Sequence, residues 1–106
     1  MDKKSFGEKI RELRDTNNLS LKDVSEILEI DISTLSKIEK NKRSANKEMI
    51  VKLSKIFKIN EKELTISFLS DKVAYNLINE EYAEETLIVA EEKVKYLKRI
   101  QDNENK

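Results

Sequence analysis

The chain has 106 residues, enough for one domain, or a small domain with an appendage, around a core of modest size. It contains no cysteine and no histidine, which removes disulfides and thiolate metal sites and also the commonest general base and metal ligand. The formal charge of +0 hides a division: residues 1–60 carry 14 Lys/Arg against 10 Asp/Glu, and residues 61–106 carry 7 against 11.

Halves of opposite bias point to different partners. The chain has no proline and a single glycine, Gly7, which argues against the regular turns of an all-β chain and for an all-α fold of helices joined by short polar corners. Phe6, Ile10 and Leu13 recur at helical spacing after Ser5, a capping residue, until Asn17-Asn18 stops the pattern. Ser20 caps a short second helix carrying Leu21, Val24, Ile27 and Leu28, with Asp23 in the place a capping box usually gives to Glu or Gln. After Glu29-Ile30, Asp31 is placed to cap a third helix that turns Leu35 and Ile38 inward and leaves Ile32, Ser33, Thr34, Ser36 and Lys37 at or near its outer face. Asn41 stands where a left-handed C-terminal residue is expected.

Asn46 opens a fourth helix with Met49, Ile50, Leu53, Ile56 and Phe57 on one side. Asn60 and Glu63 form the pattern of a second capping box, starting a fifth helix that holds Leu64 and can continue through Phe68, Leu69, Val73 and Leu77. A last helix is expected from Asn79 to about Gln101. Between residues 37 and 58, eight cations face only Glu39 and Glu48. That stretch is either a polyanion-binding surface or a solvated helical face.

This succession resembles a known family. "FGEKIRELRDTNNLSLKDVSEILEIDISTLSKIEKNKR" is similar to the helix-turn-helix domain of the phage-repressor type, the Cro/C1 or XRE-like family, over residues 6–64. The likeness lies in "IRELR", in "LS" before a short helix with the small residue Ser25, and in a corner, a third helix ending "KIE" and a basic loop. It implies a DNA-binding domain over residues 1–66 whose third helix enters the major groove. Two positions depart from the pattern. Glu29 replaces the glycine usual in the turn and must accept a positive φ at a cost of about 1 kcal/mol. Leu21 replaces a glutamine that often touches phosphate, leaving Ser20, Lys22 and backbone amides to serve there.

By position in the motif, base readout falls to Ile32, Ser33, Thr34, Ser36 and Lys37, and phosphate contact to Ser20, Lys22, Lys40, Lys42 and Arg43. Lysine can donate to guanine O6 and N7, hydroxyls can donate or accept, and isoleucine can pack on a thymine methyl. Ile32 is also a candidate for core packing, and Lys37 for a solvated surface lysine. For Glu39, whose charge would repel phosphate, the family implies a structural ion pair with Arg14 that joins the first and third helices.

Residues 67–106 then form a helical extension, expected to be a dimerisation element. Ala83, Leu87, Ala90, Val94 and Leu97 follow a 4-3-4-3 seam. That stripe must be covered, by folding back on residues 68–78, by a second copy of the chain, or by both. Glu80, Glu81, Glu84 and Glu85 in its first turns suit the helix dipole better than they suggest a metal site. The segment "FLSDKVAYNLINEEYAEETLIVAEEKVKYLKRIQ" more loosely resembles the extension of small regulators that accompany DNA methyltransferases in restriction–modification systems.

The expected function is therefore transcription regulation: a homodimer reading an inverted repeat in double-stranded DNA, with a restriction–modification controller as one form. A phage-type repressor, an antitoxin and a protein-interaction module on the same framework are the alternatives. No cofactor or metal is implied. With no P-loop and no glycine-rich dinucleotide turn, an enzyme is not expected. "MDKKSFGEKI" lacks an apolar signal core and no stretch is long enough to span a membrane, so a cytoplasmic protein, on the nucleoid when bound to DNA, is expected.

Overall fold

The computed structural model describes residues 3–104. Six helices follow one another: α1 (Phe6–Thr16), α2 (Leu21–Leu28), α3 (Ile32–Glu39), α4 (Lys47–Phe57), α5 (Glu61–Leu77) and α6 (Ala83–Glu104). The fold is all-α, with no strand among the described residues. Two compact units meet in sequence between Lys72 and Val73.

Side-chain caps set the starts of the first helices. Ser5 Oγ accepts from the Glu8 N–H, and Asn46 Oδ1 accepts from the Met49 N–H at 2.9 Å. The box at α2 closes with the shorter acid: Asp23 N–H donates to Ser20 Oγ and Ser20 N–H donates to Asp23 Oδ2, each at 3.0 Å. At α5 the expected box does not form. Asn60 Oδ1 accepts from the Lys62 N–H at 2.8 Å, while the Glu63 carboxylate is drawn to Lys9 Nζ of α1 at 2.9 Å.

In the first unit, Phe6 and Ile10 of α1, Val24 and Leu28 of α2, Leu35 and Ile38 of α3, and Ile50, Leu53 and Phe57 of α4 form one core with Ala45, Leu64 and Phe68. Phe6 and Phe68 meet edge to face, ring centres 5.6 Å apart, and Lys72 Nζ lies 4.3 Å from the centre of the Phe68 ring. The expectation that Ile27 joins the inward set of α2 is not met, for it is 49% exposed. At about 100° per residue, Leu21, Val24, Ser25 and Leu28 share one arc and Ile27 lies outside it. The small Ser25, 2% exposed, turns that arc toward the crossing with α3.

Gly7 lies inside α1. A Cβ there would stand 2.5 Å from the carbonyl oxygens of Ile38 and Glu39, so a hydrogen at this position lets α1 rest directly on the end of α3. The turns use other residues. Asn18, Glu29, Asn41 and Lys58 take φ values of 53–61°.

The second unit opens within α5. Val73, Tyr75 and Ile78 are exposed, and α6 contains no buried residue. This helix begins at Ala83 rather than at the expected Asn79. Ile78 N–H bonds to Ala74 O and Glu80 N–H to Leu77 O, both at 2.9 Å, so Asn79 belongs to the turn that closes α5.

Candidate nucleic-acid interface

The corner between α2 and α3 is tight because Glu29 adopts φ 59° and ψ 44°. Its N–H reaches Glu26 O at 3.2 Å, and the following Ile30 N–H reaches Ser25 O at 3.0 Å, satisfying two carbonyls at the end of α2. Ile30 then packs on the core, and the chain re-enters a helix after Asp31, whose backbone is extended and whose side chain makes no capping bond.

The orientation of α3 follows from its buried residues. Leu35 (0% exposed), Ile38 and Glu39 face the domain. A helical projection puts Ser33 and Lys37 opposite them, with Ile32 and Ser36 on one flank and Thr34 on the other. Ser33 and Lys37 are exposed, whereas Ser36 and Thr34 are half-buried. Thr34 lines a shallow cleft with Glu26, Asp31, Arg43 and Met49. Ile32 is 47% exposed and stands outside the core. The five positions therefore do not share one line: two crown the helix and three flank it.

The end of α3 is held from α1. Asn41, at φ 61°, donates its own N–H to Ile38 O at 3.1 Å, and Lys42 N–H reaches Lys37 O at 2.8 Å. The Asn41 carboxamide accepts from Gly7 N–H at 3.2 Å and donates to Ser5 Oγ at 2.8 Å. Phe6 N–H is capped by Asp71 Oδ2 at 2.7 Å. The first turn of α1 is thus closed by residues 34 and 65 positions away. No feature of spacing singles out these two bonds in the sequence.

Arg14 Nε and Nη2 donate to Glu39 Oε2 and Oε1 at 2.9 and 3.1 Å, and Nη1 donates to Leu19 O at 3.0 Å. Donation to the Glu39 carboxylate raises the guanidinium pKa, against the opposing effect of burial. This fork ties α1 to α3 and to the residue before the α2 cap.

Past α3, Lys40, Lys42 and Arg43 are exposed. Among the described residues, neither these three nor Lys37 enters a salt bridge, although Arg43 shares its cleft with Glu26, Glu29 and Asp31. At the start of α2, Lys22 is exposed, but the Ser20 N–H is already taken by Asp23, leaving its hydroxyl hydrogen as donor. Ala83, Leu87, Ala90, Val94 and Leu97 lie on α6, none of them buried. Among the described residues no group of three or more acids is arranged to hold a metal ion, and no helix is long and apolar enough to cross a membrane.

Residues 7–65 match the model of a helix-turn-helix domain family, more than half of the chain. No curated protein matches it. Among solved structures, the chain is similar to a hypothetical protein from E. coli, with a TM-score of 0.63 and 18% identity over 81% of this chain and 88% of the other, a likeness that shows the fold alone.

Proposed function

The chain belongs to the helix-turn-helix domain family, within its XRE/Cro-C1-type group, and from that premise we propose that it is a transcriptional regulator that binds double-stranded DNA as a homodimer on an inverted-repeat operator. The observation that carries this reading is the exposed crown of α3, Ser33 and Lys37, beside three exposed cations that make no salt bridge, Lys40, Lys42 and Arg43. In the reading, Ser33, Lys37 and the flanking Ile32, Thr34 and Ser36 meet base edges, and the cations, with Lys22 and Ser20, meet phosphates.

The dimer rests on energetics and on α6. One helix reading about four base pairs discriminates weakly, at about 1–3 kcal/mol per mismatch. Two half-sites about one helical turn apart multiply that discrimination. The helix α6, with an apolar seam and no buried residue, supplies a surface for the second copy. Work in the cytoplasm, on the nucleoid, and no need of a cofactor or metal complete the proposal. A narrower form, control of a restriction–modification system, is supported by the resemblance of the C-terminal segment; neighbouring methyltransferase and endonuclease genes would favour it over a phage-type repressor or an antitoxin.

Selection of bound sequences from random duplex DNA tests the reading. A palindromic consensus, bound with an affinity that falls steeply with salt, is expected. Failure to enrich any sequence, or binding indifferent to salt, would leave the protein-interaction reading in its place.

A further inference from the structure

Over residues 83–101 the charges of α6 fall into two blocks, after which Asp102 and Glu104 add acid in its last turn. Residues 83–92 carry Glu84, Glu85, Glu91 and Glu92 and no cation, whereas residues 93–101 carry Lys93, Lys95, Lys98 and Arg99 and no acid. Along the same helix the seam residues Leu87, Val94 and Leu97 are 45–55% exposed. A 22-residue helix with none of its residues buried lacks the packing from which helices in proteins draw most of their stability.

From these features we infer that α6 packs antiparallel against α6 of a second copy, a deepening that rests on the homodimer of the proposed function. A parallel pair would set acid beside acid and base beside base, with the two helix dipoles aligned. An antiparallel pair brings each acidic block against the partner's basic block and opposes the dipoles. The block boundary sets the register: the two-fold axis crosses at Glu92, beside that boundary, so that residues 83–91 of one copy face residues 93–101 of the other. Seam positions then pair so that Leu87 faces the second copy's Leu97, Ala90 its Val94, and Ala83 its Gln101. The Leu87–Leu97 layers supply the large apolar contacts on either side of the axis, and Ala90 lets the helices approach between them. Glu92, level with the axis, lies on the helix face opposite the seam, and Glu91 beside it is already engaged by Lys95 of its own helix at 3.1 Å, which reduces its repulsion of the symmetry-related carboxylate.

Because the chain has no cysteine, engineered thiols report on this arrangement without background. Full-length Ala83→Cys and Gln101→Cys chains are oxidised separately and as an equimolar mixture, and the mass of the unmodified chain is measured by sedimentation. In the antiparallel pair two Ala83 positions are separated by roughly 27 Å of helix, too far for a disulfide. The expected result is a dimeric mass, no cross-link in either single sample, and a covalent dimer in the mixture. A cross-link in Ala83→Cys alone would overturn the orientation while leaving the homodimer standing. A dimeric mass with no cross-link in the mixture would place the contact elsewhere and overturn the inference. A monomeric mass in all samples would remove the homodimer and the inference together.

Discussion

Arg14 and Glu39 are joined by two hydrogen bonds, Nε to Oε2 at 2.9 Å and Nη2 to Oε1 at 3.1 Å, with only 5% of the Glu39 side chain exposed. Paired in this way, an acid beside the proposed DNA surface acts on the fold. Glu39→Ala leaves the guanidinium without its partner and is expected to cost about 3 kcal/mol of stability, read from urea unfolding. DNA binding should decline only as the folded fraction does; unchanged unfolding with lost binding would assign Glu39 to the interface instead.

Gly7→Ala places a methyl group 2.5 Å from two backbone carbonyl oxygens at the end of α3. Backbone oxygens cannot swing aside as a side chain can, so α1 must move off α3. A loss of about 2 kcal/mol or more is expected in thermal or denaturant unfolding. A neutral effect would mean that the helices separate at little cost.

Glu29→Gly should stabilise the domain. The left-handed backbone at φ 59° strains a side chain and not a glycine, although glycine also loosens the unfolded chain. The net gain is expected to be under about 1 kcal/mol, visible as a raised urea midpoint with an unchanged slope. No gain is expected at Asn41, where the carboxamide bonds would disappear with the side chain.

The Asp23 carboxyl is held below its usual range by the backbone N–H of Ser20 and, next, by the Ser20 hydroxyl. A depressed folded value means that the cap stabilises α2 above the ordinary carboxyl value of 3.8 and that this contribution is lost as pH falls through the folded value. Melting curves of the parent chain and of Asp23→Asn, recorded from neutral pH downward, should converge in acid. Curves that remain parallel through the acid range would show that the cap does not titrate as described.

The proposed interface divides by the part of the DNA each side chain meets. Lys42→Ala and Arg43→Ala should weaken binding to all sequences and lower the slope of log affinity against log salt by about 0.9 for each phosphate no longer neutralised. Lys37→Ala should instead relax sequence preference at one position in each half-site. A uniform loss from Lys37→Ala would move it to the phosphate group.

Local chemistry made much of the fold legible in the sequence. Ser5, Ser20 and Asn46 cap the helices they precede, and Leu35 and Ile38 face inward as their spacing requires. The left-handed corner at Glu29 is implied by the family resemblance, which puts a turn glycine at that position. Distant partners limited the rest: Glu63 completes no box because Lys9, from another helix, claims its carboxylate. Asn79 resembles a cap in isolation, but the closing bonds of α5 absorb it. For the candidate interface, spacing named the outer residues of α3 and could not rank them. The ranking needed the rotation of the helix, which Glu39 sets by its burial with Arg14.

The capping of α1 from Asn41 and Asp71 also bears on how the chain reaches its structure. Eleven residues are too few for a helix to persist alone in water, and two of this helix's first-turn donors exchange water for a protein acceptor only when segments 34 and 65 residues downstream have arrived. The entropy of closing those loops must be met before the bonds can form. The first turn of α1 is therefore completed only by the assembled domain, and a change that moves Asn41 off its seat opens the start of α1 as well as the end of α3.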